Sequence, residues 1–231
     1  LVLDAFAATV ASADGNGIKL ALARFRADWA ASRPAVRDPA DTMEALANDL
    51  QQQAQQRLDE LSKEKYRERL ELLRQRAALA QRVEEAALAG GPIDAVVAEA
   101  KHAWDALPPL SGDVGGLFAQ RFAAASGITR EDLAAGRETQ GTLLLDLEIA
   151  LGLPSPETCT AARRERQLER LQNRFGAAAG QALEPDVLLA RYYATAAVSD
   201  AALDRRIKQV VRLLTEQAAA GSATLVQRKR A

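Results

Sequence analysis

From Ala40 to Ala89 the chain contains neither Gly nor Pro. Fifty residues without a chain breaker, built mostly from strong helix formers, can hardly be anything but helix. The large apolar residues of the stretch are Met43, Leu46, Leu50, Leu58, Leu61, Tyr66, Leu70, Leu72, Leu73, Leu79, Val83 and Leu88. They recur at three- and four-residue steps, the helical period. Only these twelve of fifty positions are large and apolar, whereas eighteen are charged (eight basic, ten acidic), and Gln residues crowd 51–56. That is a narrow, coiled-coil-like seam, which needs a covering surface from this chain or a second one. A continuous helix of this length would measure about 75 Å. A compact globule of the whole chain would be about 45 Å across. The expectation is therefore an elongated molecule, or a helical hairpin folding back near Ser62.

The rest of the chain reads as shorter helices between turn signals. The first, 1–13, ends at Asp14-Gly15-Asn16-Gly17, read as a turn, and the second, 18–31, ends before Pro34. Gly90-Gly91-Pro92 is the clearest boundary, with Gly past one helix end and Pro at the next start. A helix over 92–107 stops at Pro108-Pro109, and the next runs to about Ser126. Thr129 with Asp132 spells a variant capping box for a helix ending at Leu151, ahead of Gly152 and Pro154. Ser155-Pro156 is read as the start of a helix to Phe175, and Pro185 and Ser199 as openings of the last two. No alternating strand pattern occurs. The expected fold is all-α, in four segments: a partial helical repeat at 1–38, a connecting helix at 39–90, a central repeat unit with its following helix at 91–153, and a C-terminal helical unit with a basic tail at 154–231.

One phrase occurs three times: hydrophobe, three residues, Arg, aromatic. It reads Leu20…Arg24-Phe25, Leu117…Arg121-Phe122 and Val187…Arg191-Tyr192. On a helix this spacing sets hydrophobe and aromatic on one buried face with the Arg at its edge. Each Arg then holds a nearby acid or helix C-terminus while its aliphatic stem lies along the apolar stripe.

Trp104-D-A-L-P-P-L, followed after a short loop by Leu117-F-A-Q-Arg121-Phe122-A-A-A, resembles the bacterial helical repeat known as domain of unknown function 349. The segment from Leu143 through Glu148 and Pro156 to Arg163-R-E-R-Gln167-L-E-R-Leu171 is similar to the region that follows a repeat in proteobacterial members. The resemblance implies a fairly complete repeat at 93–127 and diverged ones at 1–32 and 180–220. It implies an α-helical bacterial protein and almost no established activity. Some members carry a repair-ATPase label, but this sequence has no G-x-x-x-x-G-K-[ST] loop to hold a nucleotide.

Composition narrows the chemistry further. Hydrophobic residues are 48 % of the chain but aromatics only 4 %, so Ala-rich helices pack closely without a thick aromatic core. The single Cys159 permits no intrachain disulfide and suits a reducing compartment. It lies one turn into an expected helix, with no His partner nearby in sequence. The single His102 excludes a His-rich metal site or a double-His mechanism. Glu84-Glu85 and Asp59-Glu60 are read as exposed neighbours pointing about 100° apart, not as a converging acid/base pair. No run is long and apolar enough for a membrane span, and no secretory leader is visible. The chain opens at Leu1 and is read as a cytoplasmic fragment. No catalytic residue, cofactor, metal or small-molecule substrate is expected.

The one positive signal is Arg. The net charge of −1 is uneven: from Ser155 onward the chain carries +5, leaving −6 for the remainder. Arg163, Arg166, Arg170 and Arg174 fall at steps of three and four, with Leu168, Leu171 and Phe175 as the apolar stripe of the same helix. Arg205, Arg206 and Lys208 add a second basic cluster. Two readings follow. The first is a non-enzymatic helical scaffold that binds a protein partner or a second copy. The second is a nucleic-acid- or ribosome-associated protein that uses the Arg stripe as its surface. A plainer account of the stripe is a salt-bridged, solvated helix face.

Overall fold

The computed structural model describes residues 2–31, 37–110, 112–175 and 184–228; of these, 2, 37–41, 173–175 and 219–228 are described as backbone only. The described residues form helices and loops with no strand, so the fold is all-α. In chain order the helices are α1 (Val2–Ser12), α2 (Gly15–Ala31), α3 (Arg37–Ala89), α4 (Asp94–Ala106), α5 (Gly112–Ala124), α6 (Arg130–Leu151), α7 (Thr160–Phe175), α8 (Pro185–Ala194) and α9 (Ala201–Arg228). Short 3-10 turns follow α5 at Ala125–Gly127 and precede α7 at Glu157–Cys159.

The long Gly- and Pro-free stretch is one helix of 53 residues that passes Ser62 without a break, so no hairpin forms there. It is not a separate connector, however. The chain divides into two compact units, 1–68 with 213–231, and 69–212, and α3 contributes a wall to each. The expected connecting-helix segment is thus shared between two cores.

In the first unit, α1 and α2 form a tight hairpin. The expected turn at 14–17 shrinks to two residues because Asp14 caps α2: its Oδ1 accepts from the Gly17 amide at 2.7 Å. Phe6, Ile18, Leu22 and Phe25 of the hairpin close over Ala47, Ala54 and Leu58 of α3. Phe6 stacks on Phe25 with ring centroids 4.2 Å apart. The seam on α3 is built on Ala47 and Ala54, whereas Met43 and Leu46 are 40 % and 48 % exposed. Small side chains here let the hairpin approach closely, so volume rather than hydrophobicity selects the buried positions. From the Gln-rich patch, Gln51 accepts a hydrogen bond from Arg26 Nε at 3.1 Å.

In the second unit, Leu73, Phe118 and Ala190 bring α3, α5 and α8 together, and Val83, Ala100 and Ala125 pack α3 with α4 and the 3-10 turn. Trp104 lies 4.5 Å from Phe122, centroid to centroid. The α6 N-terminus carries the capping box: Thr129 Oγ1 accepts from the Asp132 amide at 3.1 Å while Asp132 accepts from the Thr129 amide at 3.0 Å. Its C-terminus ends in Gly152 at φ 69°, the left-handed geometry that releases the chain toward Ser155. On the other side the segment that follows α8 passes so close to α6 that a Cβ at Gly136 would fall 1.7 Å from the Ala196 carbonyl oxygen. Gln140 of α6 donates to the Tyr192 and Thr195 carbonyls, both at 3.1 Å, satisfying the end of α8.

Two helix caps differ from the sequence reading. Ser155 does not cap a helix, because a 3-10 turn intervenes and α7 begins at Thr160. The α9 cap is Asp200 rather than Ser199: Asp200 Oδ1 accepts from the Ala202 amide at 2.7 Å and the Leu203 amide at 3.2 Å.

Candidate protein interface

Helix α6 reads Leu143 to Leu151 with acids at Asp146 and Glu148, and helical geometry turns Glu148 into the core, where it is 2 % exposed. A carboxylate there survives only when paired. Arg206 of α9 supplies the pair in a two-pronged contact: Nε to Oε1 at 2.7 Å and Nη2 to Oε2 at 2.9 Å. The Ser155 hydroxyl donates to Oε2 at 2.5 Å and accepts from Arg163 Nη1 of α7, also at 2.5 Å. Hydrogen bonding to Glu148 pushes the Arg206 guanidinium further up, against the opposing pull of burial.

Two more Arg residues are spent in the same way. Arg121 of α5 donates from Nε and Nη2 to the two oxygens of Glu84 on α3, at 2.8 and 2.9 Å, and from Nη1 to the Tyr193 carbonyl at 2.7 Å. Their side chains are 7 % and 2 % exposed. Arg76 lies 4.4 Å over the Trp104 ring and donates to the Pro108 carbonyl at 2.8 Å. Burial lowers its pKa, with Asp105 pulling the other way. Each of the two carboxylates has both oxygens engaged by a guanidinium and is only 2 % exposed, so no substrate can reach the acceptor sites that remain. Glu84 and Glu148 are therefore structural, and Glu84 is a correction to its reading as an exposed residue. Among the described residues, no three His, Cys, Asp or Glu side chains sit together in a way that could hold a metal ion.

Helix α7 inverts the reading made from its pattern. Its basic side was taken as a surface, but Arg163, Arg166 and Arg170 are half-buried toward α6. Leu168 and Leu171, two residues of its apolar stripe, are 59 % and 50 % exposed. The cause lies in α6: Glu148 and Asp146 give its α7-facing side a negative character that receives guanidinium groups rather than leucines. Burial pushes the Asp146 carboxyl up, and Arg166 and Arg170 pull it back down. None of the described side chains of α7 is buried.

The net upward push on Asp146 fixes a sign. A carboxyl raised in the fold is less favourable ionised there than in the unfolded chain. Stability is therefore lost as pH rises from the ordinary carboxylate value through the raised one. Asp146→Asn should gain stability over the parent across that rise, and match it near pH 3, where both side chains are neutral. Thermal melts of both proteins at about pH 3 and about pH 7 check this; a parent gaining on the variant with rising pH contradicts it.

The remaining candidate residues separate clearly. Arg206 belongs to the Glu148 pair, whereas Arg205 and Lys208 are exposed. The Arg174 side chain lies outside the described residues, as does that of Phe175. The threefold phrase does not repeat its environment. Leu20 is 66 % exposed, a correction to its packing role, and Arg24 and Arg191 are exposed, whereas Arg121 is buried. Phe25 and Tyr192 are buried as expected; Leu117, Phe122 and Val187 are half-buried, and Phe118, outside the phrase, takes the central position. Sequence spacing missed Glu148 and Arg76. Glu148 had a signal, being one of two acids inside an apolar run with Arg-rich helices downstream.

Two open grooves lie on the surface of the described residues. One, of about 530 Å³, runs between α1 and α2 past Phe6, Phe25 and Leu20. The other, of about 500 Å³, lies by Arg137, Val198 and Asp200. Neither gathers catalytic groups. His102 is exposed on α4, and Cys159 is half-buried near Arg206. No helix among the described residues is long and apolar enough to cross a membrane. No family model, curated protein or solved structure matches the chain.

Proposed function

We propose that this protein is a non-enzymatic helical module that works by binding another protein through α7. One observation carries the reading: the outer face of α7 exposes Leu168 and Leu171, one helical turn apart, while its Arg face is turned to α6. Paired leucines left in water on a helix whose polar side is already engaged suit recognition by an apolar groove. The nucleic-acid alternative has less to stand on, since Arg206 and Arg163 are committed to the Glu148 cluster and Arg166 and Arg170 are half-buried. The likeness of 93–127 to the bacterial 349 repeat belongs to the same proposal, as a scaffold unit beside the binding helix.

The reading is tested by capture from native cytoplasm with nuclease present. The parent chain should retain a protein that Leu168→Asp/Leu171→Asp loses, with helicity and melting temperature of the variant unchanged. Equal capture by both, or capture that nuclease abolishes, overturns it.

A further inference from the structure

We infer that Leu107-Pro108-Pro109-Leu110, the link between α4 and α5, is a second binding surface: a rigid polyproline II rib that a partner protein reads with an aromatic-lined groove. The inference goes beyond the binding assigned to α7 and does not rest on it.

The sequence sets the backbone of the rib. Each proline fixes its own φ near about −65° and holds the residue before it in the extended region. Leu107 accordingly stands at φ −77° and ψ 145°, the geometry of a polyproline II helix. Such a helix turns once in about three residues, so positions 107 and 110 share one side and 108 and 109 lie off it. Exposure follows the same period. Leu107 and Leu110 are half-buried, whereas both prolines are exposed. Leu110 packs against the cluster of Leu73, Phe118 and Ala190. Pro108 by itself ends α4, so stopping the helix does not account for Pro109.

The fold holds the rib from both ends. Arg76 of α3 is 7 % exposed, and its Nη2 donates to the Pro108 carbonyl at 2.8 Å and the Leu107 carbonyl at 3.4 Å. Its Nε is buried with no hydrogen-bond partner among the described residues. Taking a guanidinium out of water with one donor unsatisfied costs stability. Here the cation is set between the Trp104 ring and two main-chain oxygens of the rib. At the other end, a Cβ at Gly115 of α5 would fall 2.5 Å from the Leu110 carbonyl oxygen, so a side chain there would push the rib away. Two exposed pyrrolidine rings on a backbone fastened in this way lose little freedom on binding. They fit the slots between aromatic side chains that read polyproline II segments.

The test titrates the whole protein into purified, isotope-labelled WW and SH3 domains, whose grooves are of this aromatic kind, and follows the domains by NMR. Shifts confined to the groove of at least one domain are expected, saturating with a measurable Kd. Pro108→Ala/Pro109→Ala, with its melting temperature unchanged, should abolish them. A folded Arg76→Met keeps both prolines but loses the fastening, and should bind about tenfold more weakly. No shift with any of the domains, equal shifts from the parent and the double-proline variant, or undiminished binding by Arg76→Met overturns the inference. Leu168→Asp/Leu171→Asp should bind these domains as the parent does, so the rib and the α7 surface stand or fall separately.

Discussion

Glu148→Ala should lower the unfolding free energy by about 3–5 kcal/mol, the usual cost of stranding one member of a buried ion pair. The loss exceeds that of an ordinary deletion because two groups lose their acceptor together and a third contact loses its support. Arg206, 17 % exposed, keeps its charge without a counter-ion, the Ser155 hydroxyl loses its bond, and the Arg163–Ser155 link loses its anchor. Glu148→Gln should fall between parent and Ala, because an amide oxygen still accepts one Arg206 hydrogen bond but brings no charge. Urea unfolding followed by circular dichroism measures both. A change under about 1 kcal/mol for Glu148→Ala would mean that the carboxylate is not buried as described.

The pair between Glu84 and Arg121 should behave alike in another part of the same unit, with a second signature. Arg121→Met alone leaves the Glu84 carboxylate, 2 % exposed, without a partner, and Glu84→Leu alone leaves the guanidinium so. Each should cost about 3–5 kcal/mol. The double variant removes both charges and should cost less than either single change, which makes the coupling about 3 kcal/mol or more. A residual loss remains, because the Tyr193 carbonyl also accepts from Arg121. Additive losses in the cycle would show that the two side chains do not share a closed site.

Several features of this fold were legible in the sequence because they depend on local chemistry. The Gly- and Pro-free stretch became one helix, Thr129 with Asp132 formed its capping box, and Gly152 took the left-handed turn. What spacing could not give was which side of a helix faces the domain. In α7 the apolar stripe was plain, and the rule that apolar faces turn inward gave the wrong side. The deciding residues, Asp146 and Glu148, belong to a different helix and act only after α6 and α7 meet. The same holds for Glu84, which looks like any acid on an exposed helix until Arg121 arrives from 37 positions away. The repeated Arg-aromatic phrase specifies helix, but its three copies meet different neighbours, so Leu20 and Arg24 stay in solvent while Arg121 is buried. Division of α3 between two cores was equally hidden, since both halves carry the same heptad-like pattern.

The orientation of α7 is the claim on which the proposed interface depends, and thiol labelling measures it directly. With Cys159 replaced by Ser, single cysteines at 163, 168, 170 and 171 would be titrated at low salt with a water-soluble maleimide, and their rates compared with the same labels in unfolded chain. The account predicts near-unfolded rates at 168 and 171 and rates slower by about tenfold at 163 and 170. Fast labelling at 163 and 170 with protection at 168 and 171 would contradict it, for the leucines would then be the packed face.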